Sequence, residues 1–123
     1  MSASRRKGTS WESAIVAYLQ HRGWLFAERR ALNGNKDRGD IAGIPGVVIE
    51  AKSVKSITLA SFVDEAVTEA ANDKADLGVA WIKRRGKSSP EHGFVVMDGK
   101  TFTWLLHSAG YGNNVTDLSK ETA

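Results

Sequence analysis

Apolar residues Trp11, Ala14, Ile15, Tyr18 and Leu19 recur at the spacing of one helical face, so a helix is expected over Thr9–His21, stopped near Gly23. A second stretch, Thr58–Asp73, carries Leu59, Phe62, Val63, Ala66, Val67 and Ala70 at the same period, with an acidic opposite side. Between them the pattern changes to short apolar runs. Trp24–Arg30 reads as a strand, Asn33-Gly34-Asn35 as a loop, and Arg38–Ile44, Pro45-Gly46 and Val47–Ser53 as an antiparallel hairpin. Beyond the second helix come a strand at Gly78–Lys83, a basic loop at Arg84–His92, a strand at Gly93–Met97 and a turn at Asp98-Gly99. A short apolar helix over Thr101–His107 is expected to close the core.

The order helix, three strands, helix, two strands, helix implies an α/β fold, a mixed sheet flanked by helices, in one domain over residues 1–108. Residues 109–123 turn polar and read as a loose tail. The length of 123 residues, with 41% hydrophobic and 25% charged, suits one globular unit rather than a disordered chain.

The absence of cysteine excludes disulfide frameworks, thiolate metal sites and cysteine nucleophiles. No apolar run is long enough for a membrane span or a secretory leader, which makes a cytoplasmic protein the expectation. The net charge of +3 is modest, but its signs are separated. Cations cluster as Arg5-Arg6-Lys7, Arg29-Arg30, Lys36 with Arg38, and Lys83-Arg84-Arg85 with Lys87, while acids collect between Asp64 and Asp76. A basic face of this kind suits a polyanion such as nucleic acid, and it equally suits plain solubility. The run at residues 83–87 lacks the interleaved aromatics of a single-strand stacking platform.

The strand Val47–Ser53 carries the candidate chemistry. Its period of two sets Val47, Ile49 and Ala51 on one face and Glu50 with Lys52 on the other, which is expected to meet water, a cleft or other charges. Asp40 precedes Glu50 by ten residues, and the turn decides whether they meet. A three-residue loop Ile44-Pro45-Gly46, with Gly46 at positive φ, opposes Asp40 to Glu50; a two-residue loop opposes Ile41 to Glu50 instead. In the first case two carboxylates share a face, an arrangement that a hard cation such as Mg²⁺, with Mn²⁺ as substitute, would relieve. Lys52 could then orient an attacking water or neutralise charge on a phosphate. The bland alternative is a surface ion pair of Glu50 with Lys52.

Glu12, beside Trp11 on the first helix, is a third acidic candidate; Thr9-x-x-Glu12 is also a capping box, in which Glu12 serves only the helix start. His21, His92 and His107 have no metal-site spacing. No phosphate-binding glycine loop is present, so no nucleotide cofactor is expected.

Lys7-Gly8 followed by Glu12, Gly39-Asp40 ahead of the turn, Glu50-Ala51-Lys52, and Trp81-Ile82-Lys83 after the second helix form an ordered set. Over roughly Arg5–Leu106 the set resembles the PD-(D/E)xK nuclease superfamily, and within it the archaeal-type Holliday junction resolvases and related resolvase-like proteins of actinobacterial phages. The resemblance implies a restriction-endonuclease-like sheet with Asp40 and Glu50 on Mg²⁺, Lys52 at the attacking water, Glu12 completing the acidic site and Lys83 near the cleaved phosphate. It implies a homodimer, since a junction is cut by two symmetric nicks. Some relatives carry a Gln on the second helix, where this chain has Glu65 and Glu69, a departure that weakens any role the resemblance would assign to that helix.

The expectation is a metal-dependent, structure-selective endonuclease acting on branched or duplex DNA, foremost a Holliday junction. Its DNA contacts would come from Arg5, Arg6, Lys7, Arg29, Arg30, Lys36, Arg38, Lys83, Arg84, Arg85 and Lys87. The rivals are a related nuclease cutting flaps, mismatches or single-strand ends, a catalytically silent DNA-binding module, and an interaction protein docking through its acidic helix.

Overall fold

The structure, a computed structural model, describes residues 3–31 and 38–112, with side chains from residue 6 onward. Lys36, the Asn33–Asn35 loop and residues 113–123 of the expected tail therefore lie outside the described residues, as does the side chain of Arg5. Five strands form one mixed sheet in chain order: β1 (Glu28–Arg29), β2 (Ile41–Ala42), β3 (Val47–Lys52), β4 (Leu77–Ile82) and β5 (Phe94–Val96). Helix α1 (Ala3–His21) precedes the sheet, α2 (Leu59–Asp73) joins β3 to β4, and α3 (Gly99–Ala109) follows β5. All neighbours are antiparallel except β3 and β4, the parallel pair that needs the α2 crossover. The expected α/β class and element order are both present. No helix among the described residues is long and apolar enough to cross a membrane.

The strand pattern sorts into two faces. Ile49 joins Trp11, Ile15, Leu19, Ile41, Val79 and Trp81 in the main core beneath α1, with Val47 and Ala51 packed against it. The Trp11 indole there donates to the Trp81 carbonyl at 2.9 Å. Beneath α2 the apolar set is smaller: Phe62, Ala80 and Ile82, backed by Val96. Gly78 lets α2 approach β4, because a Cβ there would collide with the Ala66 carbonyl.

The hairpin takes the longer-loop register. Ile41 pairs with Ile49, which sets Asp40 opposite Glu50, and Gly46 sits at φ +86°. Any side chain at Gly46 would strain that backbone and meet the Asp76 carboxylate.

Three expectations need correction. The first helix begins at Ala3, not Thr9: residues 6–10 add nothing to the hydrophobic clusters and so show no apolar period, while Ala, Arg and Lys are good helix formers. Thr9 is thus inside the helix and the capping-box account of Glu12 is lost. The strand at Trp24–Arg30 shrinks to Glu28–Arg29, since β2 offers only two partners, and Trp24, Leu25 and Phe26 remain exposed. Helix α3 closes the core only in part: Leu105 packs against the main cluster, but no residue of the helix is buried, and Phe102 and Trp104 stand out toward solvent.

Candidate metal centre and basic groove

The site lies between β3 and α2. Glu50 and Lys52 point to the side that α2 covers, so instead of opening to water they meet charges carried by the helix. Glu50 is only 6% exposed and its Oε2 is buried without a hydrogen-bond partner. Glu50, Glu65 and Glu69 each bring a carboxylate oxygen to within 4.8 Å of the others, a group able to hold a metal ion. Asp40 adds its charge from the opposed position on the hairpin, and its Oδ2 accepts from the Ala51 amide at 2.8 Å.

Burial pushes the Glu50 carboxyl well above its ordinary range, and contact with Glu69 and the charges of Asp40 and Glu69 push it further; Lys52 opposes this. The pair of Glu50 and Glu69 therefore calls for a proton or a cation between them. Lys52 Nζ lies 2.8 Å from Glu65 and 3.5 Å from Glu50, with the Phe62 ring 5.0 Å below it. Burial works against the Lys52 ammonium, but the hydrogen bond to Glu65 and the Glu50 charge outweigh it and hold its pKa above the usual lysine value.

Of the residues expected in the site, Asp40, Glu50 and Lys52 come together. Glu12 does not join them: its Oε1 takes Arg29 Nε at 3.1 Å, away from the three-carboxylate group. Glu65 and Glu69 take part unforeseen. The available signal was Glu69 itself, seven residues beyond Phe62 and so on the Phe62–Ala66–Ala70 stripe, where α2 buries a carboxylate to 2% exposure.

The expected DNA-contact residues divide. Lys7, Lys83, Arg84, Arg85 and Lys87 line one groove of about 930 Å³, together with Lys55, which sequence reasoning passed over; among the described residues no acid lines it. Its lining includes Ser53 and Lys83, the residues that follow β3 and β4, so it opens at the carboxyl ends of the parallel pair, directly beyond Lys52. Arg6 is exposed on the first turns of α1. Arg29, Arg30 and Arg38 belong elsewhere, at the β1 side, where Glu12 holds Arg29 and Asp73 holds the other two at 3.4 and 3.6 Å. Runs of cations in the sequence thus conceal two populations, one grouped in a groove and one held by acids.

No protein-family model, curated protein or solved structure matches this chain. The site's meaning rests on its own geometry.

Proposed function

We propose that this protein is a divalent-metal-dependent endonuclease of the PD-(D/E)xK kind, acting on branched DNA and foremost on four-way junctions. The observation that carries the reading is the close grouping of the Glu50, Glu65 and Glu69 carboxylates, two of them buried, beside a basic groove. The donor set is all carboxylate oxygen, which fits a hard cation: Glu50 and Glu69, with Glu65 or Asp40, would hold Mg²⁺, or Mn²⁺ in its place. Such an ion, when bound, lowers the pKa of a water and screens the negative phosphodiester.

The chain's own residues supply the remainder. Lys52, held as an ammonium by Glu65 and Glu50, is a proton donor and fixed positive charge rather than a base, suited to stabilising charge that builds on a phosphate oxygen. Lys7, Lys55, Lys83, Arg84, Arg85 and Lys87 grip the backbone on either side and carry no sequence preference, as shape-selective cutting requires. Resolution of a junction by paired nicks needs two sites, so the proposal carries a homodimer.

The test is nicking of a labelled immobile four-way junction, against matched duplex and flap DNA, with Mg²⁺ or EDTA, for wild type, Asp40→Asn and Glu50→Gln. Paired nicks that need the metal and vanish in Glu50→Gln are expected. Cutting of duplex or flap alone would replace the substrate, and binding without cutting in any ion would refute the enzyme.

A further inference from the structure

The basic groove contains no aromatic residue of its own, yet the sheet delivers one to its rim. Parallel pairing sets Lys52 against Ile82, and antiparallel pairing sets Ile82 against Phe94. Paired residues share a face, so Lys52, Ile82 and Phe94 form one row across three strands on the α2 side. Two strand spacings put the Phe94 backbone roughly 10 Å from that of Lys52.

Phe94 is not used by the core. It stands on the edge strand, 45% exposed, while the small cluster beneath α2 is made of Phe62, Ala80 and Ile82 with Val96. The Arg84 guanidinium lies over its ring, 5.5 Å from the centroid, and Arg84 also lines the groove. An aromatic ring under a guanidinium, at the edge of a phosphate-gripping groove, has the makings of a nucleobase shelf: the ring supplies a π-face and the cation a contact to the adjoining phosphate.

We propose that Phe94 and Arg84 form a stacking platform for an unpaired base of the nucleic-acid substrate, placed about two strand widths from Lys52. The inference rests on the nucleic-acid reading of the groove and deepens it by naming what the site selects. In continuous duplex both faces of each base are stacked on neighbours, so the platform goes unused; at a flap or single-strand end a base is free to take it, and at a four-way junction a base is free once its pair at the exchange point opens. Selectivity for interrupted DNA then resides in one ring on β5, independent of metal and of cutting.

The experiment is equilibrium binding, in EDTA and at fixed salt, of a fluorescent oligothymidylate strand and a blunt duplex of equal length to wild type, Phe94→Leu and Phe94→Trp, each checked for folding by circular dichroism. Phe94→Leu keeps the apolar cover but removes the π-face, and is expected to weaken the single strand roughly tenfold with the duplex unchanged, Phe94→Trp retaining wild-type affinity. Equal affinities of wild type and Phe94→Leu for the single strand would overturn the platform while leaving the nucleic-acid reading standing. Failure of folded wild type to bind either DNA would overturn that reading and the platform with it.

Discussion

Strand β3 lends Ile49 to one side of the sheet and Glu50 to the other, and both side chains are buried, at 4% and 6% exposure. Around Ile49 the company is Trp11, Ile15, Leu19, Val79 and Trp81, all buried, with the Trp11 indole satisfied by a carbonyl. Around Glu50 it is Glu65, Glu69, Asp40 and Lys52, beside the small apolar cluster of Phe62, Ala80 and Ile82, with one carboxylate oxygen left without a hydrogen bond. Burying apolar area is favourable without direction, whereas burying a carboxylate among carboxylates is costly unless something compensates. The face under α1 therefore carries stability, and the face under α2 gives some of it up to bury a group of carboxylates able to hold a metal ion.

The largest effect that would test this contrast is on the α1 side. Trp11→Ala removes a fully buried indole and its hydrogen bond. A loss of about 3–5 kcal/mol in urea unfolding is expected. A loss below about 1 kcal/mol would mean that the α1 face is not where the stability lies.

On the α2 side the sign reverses. The folded-state pKa of Glu50 is raised above its ordinary 4.5, so the folded protein keeps a proton that the unfolded chain releases. Its contribution is fully present below that ordinary value and is lost as pH rises, by up to about 1.4 kcal/mol per pH unit, in protein without divalent ion. Glu50→Gln should therefore stabilise metal-free protein by about 1–3 kcal/mol near pH 8, and flatten the dependence of melting temperature on pH. Mg²⁺ or Mn²⁺ should raise the melting temperature of wild type more at pH 8 than near pH 5, and leave the variant unmoved. A destabilised Glu50→Gln would show that Glu50 is satisfied by its protein neighbours alone.

How much of this contrast could be read in the sequence depends on which residues carry it. The alternation along Val47–Lys52 separated Ile49 from Glu50, and the positive-φ propensity of Gly46 pointed to the register that opposes Asp40 to Glu50. Those are local signals, set within one hairpin. Glu65 and Glu69 read only as acids of an amphipathic helix with an acidic opposite side, because period alone does not say how deeply a helix sinks onto its sheet; Gly78, from the far end of the crossover, lets α2 approach closely. Phe94 lies ten residues from Arg84 and meets it only through the β4–β5 pairing. Likewise α3 shows a helical pattern without showing whether anything covers it.

The smallest expected effect concerns Glu12, and it decides which helix completes the acidic site. Glu12 is held by Arg29 in a pair whose side chains are 20% and 46% exposed, and pairs of that kind contribute about 0–1 kcal/mol. Glu12→Gln should accordingly change stability by less than about 1 kcal/mol. Its effect on divalent-ion affinity, read by the metal-induced shift in melting temperature, should be within a few-fold of wild type, on the order of 1 kcal/mol or less. Glu69→Gln, on the buried stripe of α2 and against Glu50, should abolish that shift. If instead Glu12→Gln removes the metal response and Glu69→Gln keeps it, the Arg29 pair must open when the ion binds, and α1 rather than α2 completes the centre. The two faces of the sheet would then share the metal, and the division between a side that carries stability and a side that carries the carboxylates would fail at the Glu12–Arg29 pair.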